Sequence, residues 1–221
     1  MQLSVPGGTT LLLLPQRAAY LPEQRTLLVA DAHLGKAQSF RRLGVPVPRG
    51  TTLEALDRLS ALLAATGARR IVFLGDLLHS AKSRGLAIVA AVAKWRQDHA
   101  ALDLTLVRGN HDSHAGDPPS EWGIDCVDEP FAFEGSQELA LAHHPTSVAG
   151  RYVLAGHVHP AARIGGRARD SLRLPCFHFG PQVGVLPAFG DFTGMHVLPR
   201  GPRDRVVVIA GETLRALNFQ P

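Results

Sequence analysis

Cysteine is scarce in this chain, with two residues among 221, and no long apolar run stands near its start. Two thiols cannot build a disulfide framework, and nothing places Cys126 near Cys176, so we expect both to be free in a reducing compartment. The run from Leu11 to Leu14 is far too short to span a bilayer, and residues 1–10 lack the basic segment that opens a signal peptide. These absences favour a cytoplasmic protein.

A strong excess of charge of either sign is absent too. The formal net charge is +4 and the sequence pI is about 9.6. A mildly basic chain can contact nucleic acid, but this balance does not require it. There is no internal repeat, low-complexity tract or long run of like charges. Apolar residues make up 45% of the chain and charged residues 19%, which is typical of a globular protein, and the length suits a single domain over residues 1–221.

What the sequence does contain is a recurring layout, in which a short apolar run is followed by a polar cluster. Runs of about five residues rich in Val, Leu and Ile predict buried strands. Helices between the early runs imply a parallel sheet, whose functional groups gather beyond the carboxyl ends of its strands. The predicted strands of this kind are Thr26–Ala30, Ile71–Leu74, Leu102–Val107, Leu139–Ala142 and Tyr152–Ala155.

Two helices are predicted between the early strands, at Thr52–Ala65 and Leu86–Asp98. Thr51 and Glu54 have the spacing of a capping box for the first helix, and Gly67 can stop it. After residue 159, further short apolar runs predict a second sheet packed on the first. The inward stripes of the helices are Leu53, Leu56, Leu59 and Leu63 in the first and Ile88, Val89, Val92 and Trp95 in the second.

The polar clusters carry groups that bind divalent metal ions. Asp31 and His33 follow the first run at i, i+2 spacing, where the side chains of a strand point the same way. Asp76 follows Gly75, which lets the backbone turn sharply, and its two oxygens could bridge two ions. The remaining clusters add an amide and several imidazoles: Asn110, His111 and Asp112 after Gly109, then His143 and His144, then His157 and His159.

Carboxylate, amide and imidazole ligands without thiolate favour Mn²⁺, Fe or Zn²⁺. Two such ions can bind one hydroxide and one phosphate together, and they can clamp the attacking and leaving oxygens of an in-line displacement. Each cluster alone has a plainer interpretation, since Gly–Asp and Gly–Asn–His–Asp also form turns and His-x-His can be a surface tip. All of them in this order, each after a buried-strand pattern, indicate one shared dinuclear site.

This set of clusters resembles the five motifs of the calcineurin-like metallophosphoesterases, in order. The resemblance implies an α/β fold, the four-layer α/β/β/α sandwich of two mixed sheets flanked by helices. It also implies phosphoester hydrolysis with two divalent metal ions. The ligands it assigns form two sets bridged by Asp76: Asp31, His33 and His159 for one ion, and Asn110, His157 and one histidine of the 143–144 pair for the other.

The same resemblance gives roles to the remaining polar residues. His111 would stabilise phosphate charge and protonate the leaving oxygen, and Asp112 would orient its ring. His143 directly follows its strand and is the preferred ligand, which leaves His144 as its neighbour near the metals or the substrate. His79 stands where many phosphatases of the superfamily have an acidic residue, and it resembles the nuclease branch. The alternative is a helix-start histidine satisfied by nearby backbone.

Longer segments are similar to one branch, the bacterial ligase-associated DNA damage response endonucleases known as PdeM. These segments are residues 31–36, 40–48, 74–79, 174–177 and 186–194. The resemblance implies a Mn²⁺-dependent phosphodiesterase and endonuclease that acts on DNA. It also implies a repair context shared with a DNA ligase and a helicase.

Basic residues beside the metal motifs give a DNA substrate some physical support, because they could form a rim that follows a phosphate backbone. Arg41 and Arg42 are the candidate substrate contacts, and Phe40 is either a base-stacking aromatic or a core residue. The plainer interpretation is that the arginines are solvated loop residues. The full basic set is Lys36, Arg41, Arg42 and Arg49 after the first motif and Arg163, Arg167, Arg169 and Arg173 after the last.

Two other functions remain open from the sequence. One is a phosphoesterase of small molecules such as nucleotides, cyclic nucleotides or lipid-linked diphosphates, because one scaffold hosts many substrates. The other is a docking scaffold without activity. Such proteins usually lose metal ligands or the catalytic histidine, and here all of these residues are present.

Overall fold

The structure, a computed structural model, describes residues 1–42, 44–47, 50–80, 85–165 and 171–217, which fold into two mixed sheets. The first sheet contains Gln2–Ser4 (β1), Thr10–Leu14 (β2), Ala18–Leu21 (β3), Thr26–Ala30 (β4), Arg70–Leu74 (β5), Asp103–Val107 (β6) and Ile124–Val127 (β7). The second contains Phe131–Ala132 (β8), Leu139–Leu141 (β9), Tyr152–Ala155 (β10), Pro160–Gly165 (β11), Ser171–Phe179 (β12), Val183–Val185 (β13), His196–Val197 (β14), Arg205–Ala210 (β15) and Thr213–Leu217 (β16). The helices of the described residues are Lys36–Arg42 (α1), Thr51–Thr66 (α2), Leu86–Asp98 (α3) and Asn110–Ala115 (α4), and a 3-10 turn lies at Ser120–Trp122.

The strands of the first sheet lie in chain order. Neighbours are antiparallel from β1 to β4 and parallel from β4 to β7. The chain passes through α2 between β4 and β5 and through α3 between β5 and β6, so the predicted parallel sheet is confirmed. Ala30 pairs with Leu74 and Leu74 with Val107, and the carboxyl ends of these three strands therefore lie side by side.

The second sheet has the order β14-β11-β12-β13-β10-β9-β8, with β15 paired to β12 and β16 to β15. Its strand β10 runs parallel to β9 and to β13, while the pairs β11–β12, β12–β15 and β15–β16 are antiparallel. Leu141 of β9 pairs with Leu154 of β10, so these two strands also end together.

Alternating side chains of the first sheet pack into two apolar layers, one on each face of the sheet. Leu28 and Leu74 face the second sheet, where they pack with side chains such as Phe177. Leu27 and Val29 face the other way and pack with the buried sides of α2 and α3. The expected fold class, mixed α/β with two mixed sheets and flanking helices, is confirmed. No helix in the described part of the chain is long and apolar enough to cross a membrane.

The helix α2 differs in detail from its predicted form. It begins after Gly50 with no side-chain cap, so Thr51 and Glu54 do not form a capping box. Leu53 is 56% exposed, because the buried stripe of residues 55, 56, 59, 62 and 63 faces away from it. The other helix, α3, has the predicted bounds, whereas α1 and the strands β1–β3 lie outside the predicted elements.

Candidate metal centre

The polar clusters converge at one end of the two sheets, because the strands that carry them end side by side. Asp31 and Asp76 come just after β4 and β5 of the first sheet, whereas His143 and His157 come just after β9 and β10 of the second. The backbone N–H of His157 donates to Asp31 Oδ2 at 2.9 Å and joins the two sets of loops. The structure brings all seven candidate ligands into one cluster.

Five of these ligands share a backbone conformation that L-residues rarely adopt. Their φ angles are positive, a conformation that costs an ordinary residue roughly 1–2 kcal/mol and that clusters at functional sites. The i, i+2 spacing along a strand is therefore not what brings two ligands of one loop together, contrary to the sequence-based interpretation. The chain has left the extended conformation at each of them: Asp31 (φ 51°), His33 (45°), Asp76 (51°), His157 (70°) and His159 (51°).

Glycines let the ligand loops approach one another closely. A Cβ at Gly109 would lie 2.5 Å from Asp76 Oδ1. Gly75 has a φ of +77°, and a Cβ there would overlap the His143 ring. Any larger residue at either position would collide with a neighbouring ligand. This steric requirement for glycine adds to the sharp turn predicted at Gly75.

Asp31, His33 and His159 form what we call the first half-site. Their ligand atoms lie within 4.8 Å of one another. Both ring nitrogens of His33 and the Nε2 atom of His159 are buried without a hydrogen-bond partner in the described part of the chain. His159 Nδ1 donates to the Gly194 carbonyl at 3.2 Å, which leaves the Nε2 lone pair free to face the site. A bound cation would take up the lone pair of one His33 nitrogen and that of His159 Nε2, so the residues fit a metal ion.

Asn110, His143 and His157 form the second half-site. His143 is fully buried, and its Nδ1 donates to the Leu74 carbonyl at 3.1 Å, so Nε2 carries a lone pair in the neutral ring. That lone pair faces Asn110 Oδ1 at 2.9 Å and His157 Nδ1 at 3.0 Å. Two acceptors this close repel each other unless a cation or a proton lies between them, and a shared metal ion meets this need.

Asp76 lies between the two half-sites. Its Oδ2 is 3.8 Å from His33 Nε2, and its Oδ1 is 3.5 Å from His143 Nε2. One oxygen can therefore serve each ion. Asp76 is 2% exposed and Asp31 is 0% exposed, and buried carboxylates are costly without nearby positive charge. This arrangement also fits a pair of cations.

His111 stands at the rim of the centre, with 38% of its side chain exposed and Nε2 3.9 Å from Asp76 Oδ2. Its Nδ1 donates to the His79 carbonyl at 2.8 Å, and the two imidazole rings stack with 5.2 Å between their centroids. The His79 backbone and ring, rather than a carboxylate, thus orient the ring of His111.

The prediction that Asp112 orients His111 is wrong. The carboxylate of Asp112 is buried and accepts hydrogen bonds from backbone N–H groups, including that of Asp76 at 2.6 Å. Burial raises the pKa of Asp112, although these hydrogen bonds oppose the rise. Its role in the structure is to hold the turn that carries the bridging carboxylate. The donors are Asp76, Leu77, Leu78 and Gly109.

His144 lies beside the second half-site, with its ring centroid 4.4 Å from that of His157. Its Nδ1 contacts the carboxylate of Glu129, which also accepts the backbone N–H groups of His143 (2.7 Å) and His144 (2.8 Å). Burial opposes the shift, but these hydrogen bonds hold the pKa of Glu129 below its usual range. Sequence reasoning missed Glu129, which belongs to no motif and lies 14 residues before His143.

Burial and the nearby Lys36 ammonium keep two imidazoles of the centre neutral. They lower the pKa of His33 to about 2 and that of His79 to about 4. Burial lowers the pKa of Lys36 itself, and the carboxylates of Asp76 and Asp31 oppose this shift. Neutral imidazole is the form that binds metal ions. Phe40 is half-buried, with its ring edge-on to His79 at 6.1 Å.

The other basic residues are less closely tied to the centre. Arg41 lies on α1 and lines a groove that also contains Thr52 of α2 and Ile88 of α3. Arg163 and Arg173 are exposed on the second sheet. The side chain of Arg42 and the whole of Arg49, Arg167 and Arg169 lie outside the described residues, so the predicted basic rim is only partly in view.

The chain is similar to a solved nuclease, MPE of Pseudomonas putida, at 42% identity, over 95% of this chain and 96% of that chain, with a TM-score of 0.82. Yfce, a phosphoesterase of E. coli, matches at 15% identity over 86% of this chain and 90% of that chain, with a TM-score of 0.40 that is too low to carry an argument. Neither a family model nor a curated protein matches the sequence. The full-length match at this identity shows that the chain belongs to the family of the Pseudomonas putida nuclease, the metallophosphoesterase-like nucleases.

Proposed function

We propose that residues 1–221 form one metallophosphoesterase domain that cleaves phosphodiester bonds of DNA with two divalent metal ions. The observation that supports this most directly is the pair of half-sites joined by Asp76. Nitrogens of His33 and His159 are buried there without a hydrogen-bond partner among the described residues, beside the buried carboxylates of Asp31 and Asp76. Mn²⁺ suits this mixture of ligands, with Fe and Zn²⁺ as other candidates. The first half-site would hold one ion, the second half-site the other, and Asp76 would contribute to both.

Bound ions supply Lewis acidity, which neutralises phosphate charge and lowers the pKa of water. The protein supplies the proton for the leaving oxygen. His111 stands at the rim, and the hydrogen bond from its Nδ1 to the His79 carbonyl fixes the orientation of the ring, so that Nε2 would donate to that oxygen. Asp112 acts as a positioning residue, because it holds the Asp76 turn rather than the reacting groups.

DNA as the substrate class is supported by the nuclease relative and by the basic residues near the centre. Lys36 is half-buried and interacts electrostatically with Asp31 and Asp76, so its ammonium is placed to contact a phosphate. The PdeM branch, and a repair role beside a DNA ligase and a helicase, are supported by the sequence resemblance. Co-purification of the tagged chain with those two enzymes from its host tests the partnership.

Hydrolysis assays test the proposed reaction. With Mn²⁺, the purified chain is expected to hydrolyse bis-p-nitrophenyl phosphate faster than the mono-ester, to nick plasmid and to cut single-stranded DNA. Removal of metal with EDTA should abolish these activities, and added Mn²⁺ should restore them. Turnover of the small diester without cleavage of any DNA form would favour a phosphoesterase of nucleotides or cyclic nucleotides. A metal-loaded chain inert to every phosphodiester would leave only the docking scaffold.

A further inference from the structure

Residues 186–194, which we call the 186–194 loop, pass directly over the backbone of the first half-site. The N–H of Phe189 donates to the Ala30 carbonyl at 2.8 Å, and the N–H of Gly190 donates to the Asp31 carbonyl at 3.0 Å. These bonds continue the ladder beyond β4 into the first ligand loop. The beginning of the 186–194 loop is therefore fixed relative to a metal ligand.

Side chains fix the rest of the 186–194 loop. Asp191 lies 3.5 Å from Arg17 Nη1 and 3.6 Å from Arg58 Nη1, and the Gly194 carbonyl accepts the hydrogen bond from His159. Residue 192 is thus held between an anchored carboxylate and an anchored carbonyl. A side chain at this position is presented in a defined place beside the metal centre.

The side chain at this position is the aromatic ring of Phe192, which has an unfavourable exposure and backbone conformation. Phe192 is 43% exposed and has a φ of 59°. Every other Phe, Tyr and Trp in the described ranges is buried or half-buried. A bulky residue in the left-handed region is an outlier, and an apolar ring left in water gains little for folding. Strain of this kind at the edge of a reaction centre indicates a role in binding.

Phe192 lines a cavity of about 130 Å³ that extends to His159 of the first half-site. Met195 and Arg17 line the same cavity, together with Asp191, which forms an ion pair with Arg17. Arg173 Nη1 donates to the Met195 carbonyl at 3.3 Å and brings a second guanidinium to its border. A flat apolar surface, flanked by cations and next to a phosphate-cleaving centre, matches a nucleobase with a phosphate on either side.

We infer that Phe192 is the stacking platform for the nucleobase next to the scissile phosphate, with Arg17 at the edge of that base or on its outer phosphate. This inference rests on the proposed cleavage of DNA. Every base has a π face, so a stacking platform gives little sequence preference. It does require a base outside the helical stack, because a base within a duplex has both faces covered by its stacked neighbours, and it therefore favours single-stranded DNA or frayed ends over intact duplex.

Abasic DNA tests the inference by activity. Two short single-stranded oligonucleotides are compared, one normal and one with abasic tetrahydrofuran residues throughout, so that their phosphates are the same. The wild-type chain is expected to cleave the normal oligonucleotide with a kcat/KM about 5- to 150-fold higher, which is the range of one base–aromatic stack. Phe192→Ala and Phe192→Leu should lose most of this preference, and Phe192→Tyr should keep it.

The leucine variant is the matched control, because it keeps an apolar side chain on the same backbone and lacks only the π face. Thermal unfolding of each variant shows whether the fold is intact. An undiminished preference for normal DNA in Phe192→Ala would overturn the inference. So would equal cleavage of the two oligonucleotides by the wild-type chain.

Fluorescence separates this inference from the proposed function. Trp95 and Trp122 are buried, so the indole introduced by Phe192→Trp would be the one exposed to DNA among the described residues. In a His111→Ala background with Mn²⁺, quenching by oligo-dT but not by an abasic oligomer of equal length is expected. No quenching by either oligomer overturns the stacking platform. Quenching of Phe192→Trp by oligo-dT, together with no DNA cleavage by the wild-type chain, would instead overturn the proposed reaction.

Discussion

The two half-sites of the metal centre differ in how well the protein satisfies them by itself. In the first half-site all three ligands have left-handed φ angles, and three imidazole nitrogens are buried without a hydrogen-bond partner among the described residues. In the second half-site only His157 has a positive φ, and the nitrogens of His143 and His157 and the oxygen of Asn110 contact one another. The first half-site is prearranged and unsatisfied, whereas the second has contacts of its own.

This difference indicates which half-site is stabilised more by a bound ion. An unsatisfied buried polar group costs about 1–3 kcal/mol, and an ion in the first half-site removes that cost at the lone pairs that it binds. An ion in the second half-site must first displace existing contacts or a proton. We therefore expect the first half-site to fill at the lower metal concentration.

The largest effect should come from Asp76→Ala, which removes the carboxylate between the two half-sites. The variant is expected to bind neither ion tightly and to lose hydrolysis of diesters and DNA together, because one oxygen of Asp76 faces His33 and the other faces His143. Metal content by mass spectrometry and diester turnover measure this. Asp57→Ala on α2, at an exposed carboxylate, is the matched control. Two bound ions in Asp76→Ala would show that the half-sites are independent.

His111→Ala leaves both half-sites in place and should therefore change the rate alone. Loss of general acid catalysis typically lowers the rate about 10²- to 10⁴-fold. The loss should be large on DNA, whose leaving oxygen needs a proton, and small on p-nitrophenyl esters, whose leaving group does not. Parallel kinetics on the two substrates, with metal content as the control, measure the difference. Undiminished cleavage of DNA would remove His111 from its proposed role.

Variants at two adjacent positions test which histidine is a ligand of the second half-site. His143→Ala should lose the weaker of two Mn²⁺ binding events in a calorimetric titration and keep the tighter one. His144→Ala should keep both events, with the weaker one reduced by about 10- to 100-fold at most, as for groups that support a ligand. The reverse pattern would make His144 the ligand. Loss of the tighter event in His143→Ala would contradict the proposed order of filling.

The smallest effect concerns the stability of the metal-free chain. Since His33 is buried with a pKa of about 2, the unfolded state binds more protons than the folded state below the ordinary histidine pKa near 6.5. The free energy of unfolding should fall by about 1.4 kcal/mol per pH unit on this account between pH 6 and pH 4. Urea unfolding of His33→Asn should show a correspondingly shallower slope. His114→Asn, at an exposed histidine, is the control, and an unchanged slope in His33→Asn would be the contrary result.

Much of the fold could be predicted from the spacing of apolar residues and from the glycines and polar clusters that end each run. The strands Thr26–Ala30 and Tyr152–Ala155 and the helix Leu86–Asp98 have the predicted bounds, because apolar runs of that length have few alternatives. Within each sheet, the convergence of the ligand loops followed from the rule that parallel strands end together. The second sheet was predicted to begin after residue 159, whereas it already contains β9 and β10. The strands β1–β3 precede every motif, and the sequence reasoning found no signal in them.

Other features depend on tertiary contacts that local sequence does not encode. The left-handed turns at Asp31 and His33 are imposed by packing of whole loops, since an isolated chain would avoid them. From the pattern Asn–His–Asp alone, Asp112 could hydrogen-bond either to the ring of His111 or to the backbone of a turn. The folded chain shows that it accepts from the backbone of the Asp76 turn. Glu129 becomes visible as a partner of His144 only once β7 and β9 bring their loops together.

The division of the ligands between the two sheets has a consequence for the life of the protein in a cell. Asp31, His33, Asp76 and Asn110 follow strands of one sheet, and His143, His157 and His159 follow two strands of the other. A pair of bound ions would thus be a removable cross-link in a chain whose two cysteines are both free. An ion at a hundred times its dissociation constant adds about 2.7 kcal/mol to folding. The concentration of available metal would then set the rate at which the protein is degraded by proteases. Metal depletion would lower the amount of protein as well as its activity.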